Sequence, residues 1–173
     1  FAERLGYGTL GDRSRIGLSL VLGGSEVTMM DHIRAYGTFA NGGIQQDTVG
    51  ILSVQDSTGT MLEEWKAEEH IGRQVIDSNL AATVSNVLSD NSARSYIFGT
   101  NSALQLGDRP VAAKTGTTSD FNDAWTVGYT PSIATAVWVG NTDGTKLYKN
   151  AEAVFVAAPM WKEYMQAELL NTQ

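Results

Sequence analysis

The chain contains no cysteine, so neither a disulfide framework nor a thiolate metal site is open to it. Histidine is nearly absent too: His32 and His70 lie far apart, and neither stands in a ligand spacing such as His-Glu-x-x-His. No metal or other cofactor is therefore expected. Basic residues are in deficit, with 12 Lys and Arg against 19 Asp and Glu for a formal net charge of −7. No basic run offers phosphates a stripe, which argues against a nucleic-acid partner. No apolar run approaches the ~18 residues of a membrane span, and Phe1-Ala2-Glu3-Arg4 lacks the organisation of a signal peptide. Any anchor or targeting segment is expected upstream of these residues.

What remains is a chain of 173 residues, 42% of them hydrophobic, enough for one globular domain and too little for two comfortable ones. Phe1 to Gly24 is glycine-rich and turn-like, without sustained periodicity. Ser25 is expected to cap a helix with Met30, Ile33, Tyr36, Phe39 and Ala40 at helical spacing, ended by Asn41-Gly42-Gly43. A hairpin is expected from Val49, Ile51 and Val54, turning at Asp56-Ser57-Thr58-Gly59 and returning through Met61 to Trp65. Asp77 or Ser78 caps a second helix with Leu80, Ala81, Val84, Val87 and Leu88 on one face, ending near Ser89-Asp90-Asn91.

The second half reads as three antiparallel strands and a helix. Pro110 leads into a strand through Lys114, a loop from Ser119 to Asp123 joins it to Trp125-Thr126-Val127-Gly128-Tyr129, and Pro131-Ser132 turns into Ile133 to Val139. The last strand is apolar on both faces, so it is expected to be an inner strand covered on both sides. Ala157 to Leu170 then places Met160, Trp161, Tyr164, Met165 and Leu169 on one stripe, with Pro159 in the first turn, and should lie against the sheet.

Chemistry concentrates in Val111-Ala112-Ala113-Lys114-Thr115-Gly116-Thr117-Thr118, where an apolar strand runs into a cation, hydroxyls and a glycine that admits close approach. An ordinary edge strand with a solvated lysine would look similar. A phosphate loop is excluded because its Gly-Lys-Ser/Thr order is not met: Lys114 precedes Gly116. Asp120 and Asp123 share one short loop and so cannot flank a glycosidic bond; Asp123 is better placed to order the turn.

Lys114-Thr115-Gly116 matches one of the three motifs of penicillin-binding proteins and serine β-lactamases. With Thr117-Thr118, Asp123-Ala124-Trp125 and Trp138-Val139-Gly140-Asn141 behind it, the chain resembles the transpeptidase domain of class A penicillin-binding proteins. Gly24 to Thr28 and Ala35 to Gly43 are similar to a segment that follows the family's second motif. The resemblance implies that residues 1–173 are the C-terminal portion of that domain, with its N-terminal part missing. It implies an α+β fold, a mainly antiparallel sheet flanked by helices, β-lactamase/transpeptidase-like but incomplete, with the edge of the Ile133–Gly140 strand unpaired.

The resemblance also implies roles. Lys114 would help hold a relay serine and the substrate carboxylate, the hydroxyls of Thr115 and Thr117 would bind that carboxylate, and Gly116 would let the substrate lie alongside. The Thr117 N–H would be one oxyanion donor. The family's nucleophile sits in Ser-x-x-Lys, which occurs nowhere here, so the chain alone is expected to be inactive. Ser89-Asp90-Asn91 spells the second motif but follows the segment it should precede, and is read as a helix terminator. Implied partners are peptidoglycan stem peptides and β-lactam antibiotics, with a glycosyltransferase domain upstream, on the extracytoplasmic face of the bacterial membrane. Two alternatives stay open: a serine β-lactamase-like hydrolase, against which Thr117-Thr118 and Asp123-Ala124-Trp125 count, and a non-catalytic peptidoglycan-binding module. How Lys114 and two threonines meet one ligand is unresolved by alternation; a twist at Gly116 is the expectation.

Overall fold

A computed structural model describes residues 1–11, 14, 16–148 and 150–170. The glycine-rich start makes single 3-10 turns at Ala2–Leu5, Gly8–Gly11 and Leu18–Leu22, as its lack of periodicity requires. Helix α1 spans Met29–Ala40 and begins at Thr28, not Ser25: the Asp31 N–H donates to Thr28 Oγ1 at 3.0 Å. The Glu26 carbonyl is tied to the Thr9 hydroxyl at 2.8 Å, which binds the would-be first turn elsewhere.

Strand β1 (Ile44–Gln45) pairs antiparallel with β4 (Arg73–Gln74), and between them β2 (Ser53–Gln55) and β3 (Met61–Glu64) form the expected hairpin. Its turn closes on Asp56 Oδ1, which accepts from the N–H groups of Thr58 and Thr60 and the Thr58 hydroxyl. Helix α2 (Ser78–Ser89) is capped by Asp77. It is followed at once by α3 (Asn91–Phe98), a helix the sequence pattern did not announce, capped by Asp90 through the Ala93 N–H at 2.9 Å.

The expected meander is present: β5 (Ala112–Thr117), β6 (Asp123–Tyr129) and β7 (Ala134–Gly140) form one antiparallel sheet in that order. Register runs without a break from Ala112↔Tyr129 to Thr117↔Ala124, and from Asp123↔Gly140 to Tyr129↔Ala134. Helices α1 and α2 cover one face of the sheet and α4 (Ala153–Leu169) the other, a three-layer α+β arrangement. Strand β7 has helices on both faces, as its composition requires, but it is the sheet's edge and its side chains are mostly half-buried.

Helix α4 begins one turn earlier than its stripe suggested, which leaves Pro159 inside it and not in the first turn. The N–H that proline lacks would have served the Phe155 carbonyl, on a residue 69% exposed, where water can substitute. Trp161, Met165 and Leu169 are buried with Leu104, Leu106, Val111, Ala113 and Ala158, whereas Met160 and Tyr164 from the same expected stripe face outward beside β7. Each buried large side chain here contributes about 1.5–3 kcal/mol. A second cluster of Leu5, Ala35, Ile76 and Ala81 fastens the N-terminal turns to α1 and α2.

Candidate active-site strand

Alternation along β5 divides its side chains. Ala113 joins the core under α4, so Thr115 and Thr117 share that face, while Lys114 and Gly116 point to the face covered by α2 and α1. The even register pairs Lys114 with Val127 and Gly116 with Trp125, and it runs through Gly116 without a bulge. A Cβ added at Gly116 would meet only Trp125 Cβ, at 3.9 Å, so packing does not demand glycine and the face is open there.

What Lys114 and the threonines share is an edge. Among the described residues, strand β5 pairs only with β6. The carbonyls of Val111 and Ala113 accept from Arg94, and the Thr115 carbonyl accepts from Lys114 Nζ, so the odd-numbered peptide groups face away from β6. N–H and C=O of one residue point to the same side of an antiparallel strand, which puts the Thr117 N–H on that free edge. Lys114 reaches round the strand to this edge and needs no irregularity to do so.

The far end of β5 is anchored on both sides. Thr118 Oγ1 accepts from the N–H groups of Asn122 and Asp123 at 3.0 and 2.9 Å, and the Thr118 N–H donates to the Asp123 carbonyl at 3.0 Å. Asp123 Oδ1 accepts from Trp138 Nε1 at 2.9 Å, so this carboxylate ties β6 to β7, while the turn itself is held by Thr118 Oγ1 and the Asp123 backbone and not, as expected, by the Asp123 side chain. Asp120 meets Lys146 at 2.8 Å, and that bond lowers its pKa. Thr117 Oγ1 accepts the Ala153 N–H, first of α4, at 2.9 Å. The N-cap residue of α4, Glu152, makes no side-chain cap, so a strand threonine satisfies this orphan donor instead. Because the oxygen is used as an acceptor, the Thr117 O–H remains available to donate.

Behind the strand lies an aromatic cluster. The His32 ring stands against Trp125, the cross-strand neighbour of Gly116, with centroids 5.6 Å apart, and against Tyr36 at 5.1 Å. His32 Nδ1 lies 2.7 Å from Tyr7 Oη. Burial lowers the His32 pKa and raises those of Tyr7 and Tyr36, which keeps all three neutral near pH 7. These are packing groups that back the strand. Ser89-Asp90-Asn91 is likewise structural: Ser89 Oγ donates to the Asn86 carbonyl, Asp90 caps α3 and Asn91 Nδ2 reaches the Thr100 carbonyl. Among the described residues no group of three His, Asp or Glu converges as a metal site would require.

Sequence reasoning missed Arg94 and the Ala153 N–H at this site. Neither carries a local signal, since each reaches β5 from another part of the chain.

The model of the penicillin binding protein transpeptidase domain matches residues 10–166. Penicillin-binding protein 1A of Aquifex aeolicus is 38% identical over 148 residues, 86% of this chain and 19% of that protein. Its counterpart in Mycolicibacterium smegmatis is 36% identical over 164 residues, 88% of this chain and 20% of that one. The chain thus spans about a fifth of the length of these relatives. Among solved structures, PonA1 of Mycobacterium tuberculosis superimposes with a TM-score of 0.81 at 30% identity, over 99% of this chain and 49% of that one. PonA1 in complex with penicillin V matches equally well, with a TM-score of 0.81 at 29% identity, covering 99% of this chain and 49% of that one. Penicillin-binding protein 1A of Haemophilus influenzae follows at 0.78 and 25%, over 99% and 30%. A family match across most of the chain, with the Lys-Thr-Gly strand on a free sheet edge, places this protein in the penicillin-binding transpeptidase domain family.

Proposed function

We propose that residues 1–173 are the C-terminal portion of a serine D,D-transpeptidase domain and form one wall of its active site. The observation that carries this reading is the free edge of β5, where the Thr117 N–H, the Thr115 carbonyl and the Lys114 ammonium meet. An extended peptide can add there as a strand.

The reaction is acyl transfer between peptidoglycan stem peptides. A serine oxygen attacks the penultimate D-Ala carbonyl carbon, the C–N bond to the terminal D-Ala breaks, and the departing amine takes up the serine's proton. An amine of a second stem peptide then attacks the ester, and the C–O bond to serine breaks as the hydroxyl is restored. No Ser-x-x-Lys exists in these 173 residues, so the nucleophile and its lysine base come from other polypeptide. β-Lactams enter by the same first step, with the lactam C–N bond opening in place of the peptide. The reading puts the protein in the cell envelope, outside the cytoplasmic membrane.

This chain's own residues bind and stabilise. Thr115 and Thr117 donate hydroxyl protons to the substrate carboxylate, at about 1.5–3 kcal/mol for each charge-assisted bond. The Thr117 N–H serves the oxyanion, a donor whose loss typically costs about 2.7–4 kcal/mol. An incoming strand takes over the Thr115 carbonyl and releases Lys114 Nζ toward the carboxylate and the relay serine.

Intact-mass analysis after incubation with penicillin tests the reading. The intact protein gains the mass of one opened β-lactam, the 173-residue chain alone gains none, and Lys114→Ala in the intact protein is labelled far more slowly. Normal labelling of that variant would sink the assignment of Lys114, and an unlabelled wild-type protein would sink the transpeptidase reading.

A further inference from the structure

Arg94 hydrogen-bonds the α2–α3 corner to the free edge of β5. Helix α3 carries it one turn after its cap, with the Arg94 N–H donating to the Asp90 carbonyl at 3.3 Å. The half-buried guanidinium donates to three backbone carbonyls. Nη2 reaches Leu88 at 3.0 Å, in the last turn of α2, and Val111 at 3.4 Å; Nη1 reaches Ala113 at 3.5 Å. Burial lowers the pKa of this group, with Asp90 acting in the opposite direction, as for a charge drawn partly out of water.

Two consequences follow from which carbonyls these are. Leu88 supplies an orphan carbonyl of a helix end, whereas Val111, just before β5, and Ala113 within it supply the first outward carbonyls of the segment that leads to Lys114 and Thr117. A planar fork of fixed geometry therefore sets the position of β5 relative to the C-terminal end of α2. The same fork occupies the edge up to Ala113, so an added strand can pair only from Thr115 onward. The two strand bonds are long, and a lysine carries its three donors on one nitrogen, so it cannot place two nitrogens against Val111 and Ala113 as the guanidinium does.

We propose that Arg94 is a positioning residue for the Lys114–Thr117 strand: it fixes the strand's placement against α2 and marks where the substrate-pairing edge begins. The proposal rests on the transpeptidase reading for its catalytic consequence and on the geometry alone for its structural one. Misplacing an oxyanion donor affects the acylation step more than the binding of penicillin, because that donor acts most strongly in the transition state.

The test uses the intact protein with Arg94→Met, Arg94→Lys and, as a control for α3 stability, Asp90→Ala. Stopped-flow acylation by a fluorescent penicillin separates the dissociation constant from the acylation rate, and hydrogen exchange follows the peptide spanning residues 110–118. For Arg94→Met the acylation rate is expected to fall by about tenfold or more with a smaller change in affinity. Its β5 amides should exchange faster than those of Asp90→Ala at matched thermal midpoint. Arg94→Lys should recover only part of either effect. Unchanged exchange in Arg94→Met overturns the proposal whatever the kinetics show. A fall in rate no greater than that of Asp90→Ala, or full rescue by lysine, overturns it as well. A wild-type protein that does not react with penicillin removes the transpeptidase reading, while the exchange comparison still decides whether Arg94 places the strand.

Discussion

Replacing Thr117 by valine removes a hydroxyl with two duties and keeps the β-branched shape. Its oxygen accepts the Ala153 N–H at 2.9 Å, and Ala153 is 1% exposed, so the N–H left behind has little access to water. Losing a cap of this kind typically costs about 1 kcal/mol of stability. In the proposed function the hydroxyl proton is offered to the substrate carboxylate, and a bond of that class is worth about 1.5–3 kcal/mol, or roughly a ten- to 150-fold loss in acylation efficiency. The two losses separate by assay: thermal denaturation of the intact protein reads the first, and the second-order rate of penicillin acylation reads the second. Thr117→Ser keeps both bonds and should stay near wild type on both measures. Wild-type acylation by Thr117→Val would refute the hydroxyl's place in substrate binding, and a serine variant as slow as valine would show that the hydroxyl alone does not carry the effect.

Other perturbations test the scaffold behind the strand. A Cβ at Gly128 would run into the six-membered ring of Trp161 and lie 2.7 Å from the Ala112 carbonyl, so Gly128→Ala should destabilise the protein by about 1–3 kcal/mol or more; an unchanged thermal midpoint would contradict the packing. His32 is held neutral by burial, with its folded pKa below the ordinary 6.5, so the unfolded chain binds more protons as pH falls. Stability should therefore be full above about pH 6.5 and decline below it, and the decline should flatten in His32→Gln; identical pH dependence in the two proteins would show that His32 does not carry it.

Much of this fold is legible in sequence where the signal is local. The meander is one such case: Pro110, the Ser119–Asp123 loop and Pro131-Ser132 punctuate three runs, and the strands fall between them. The same holds for α2, whose Asp77 cap and apolar face lie within one short stretch. The start of α1 is a miss: the expected cap is Ser25, and the structure places it three residues later at Thr28. Thr9 binds the Glu26 carbonyl, a contact across 17 residues that no local reading displays. Helix α3 is only eight residues long with a mixed polar face, too short for periodicity to declare.

The start of α4 shows why the remainder was hidden. Nothing near Glu152 caps that helix, so a local reading starts it where the apolar stripe and Pro159 agree. The donor that needed a partner finds it in Thr117, 36 residues away, on the strand that also carries the motif. Arg94 is hidden in the same way, since its partners Val111 and Ala113 lie 17 and 19 residues on and contribute only backbone carbonyls, which no residue code displays.

The motif itself illustrates the limit of reading side chains alone. Alternation sends Lys114 to one face and Thr115 and Thr117 to the other, and no bulge at Gly116 reunites them. Their common ground is the backbone edge, because the peptide groups of the odd residues all turn away from β6. A ligand that pairs with this edge meets the Thr115 and Thr117 amides directly, has their hydroxyls on one side of its plane and can receive Lys114 from the other. On the proposed function, the order Lys-Thr-Gly-Thr would bracket an added strand from both faces, with Gly116 on the Lys114 face leaving room beside it. That requirement is met by a regular strand with one unpaired edge, which explains how so short a motif can serve the site within an ordinary antiparallel meander.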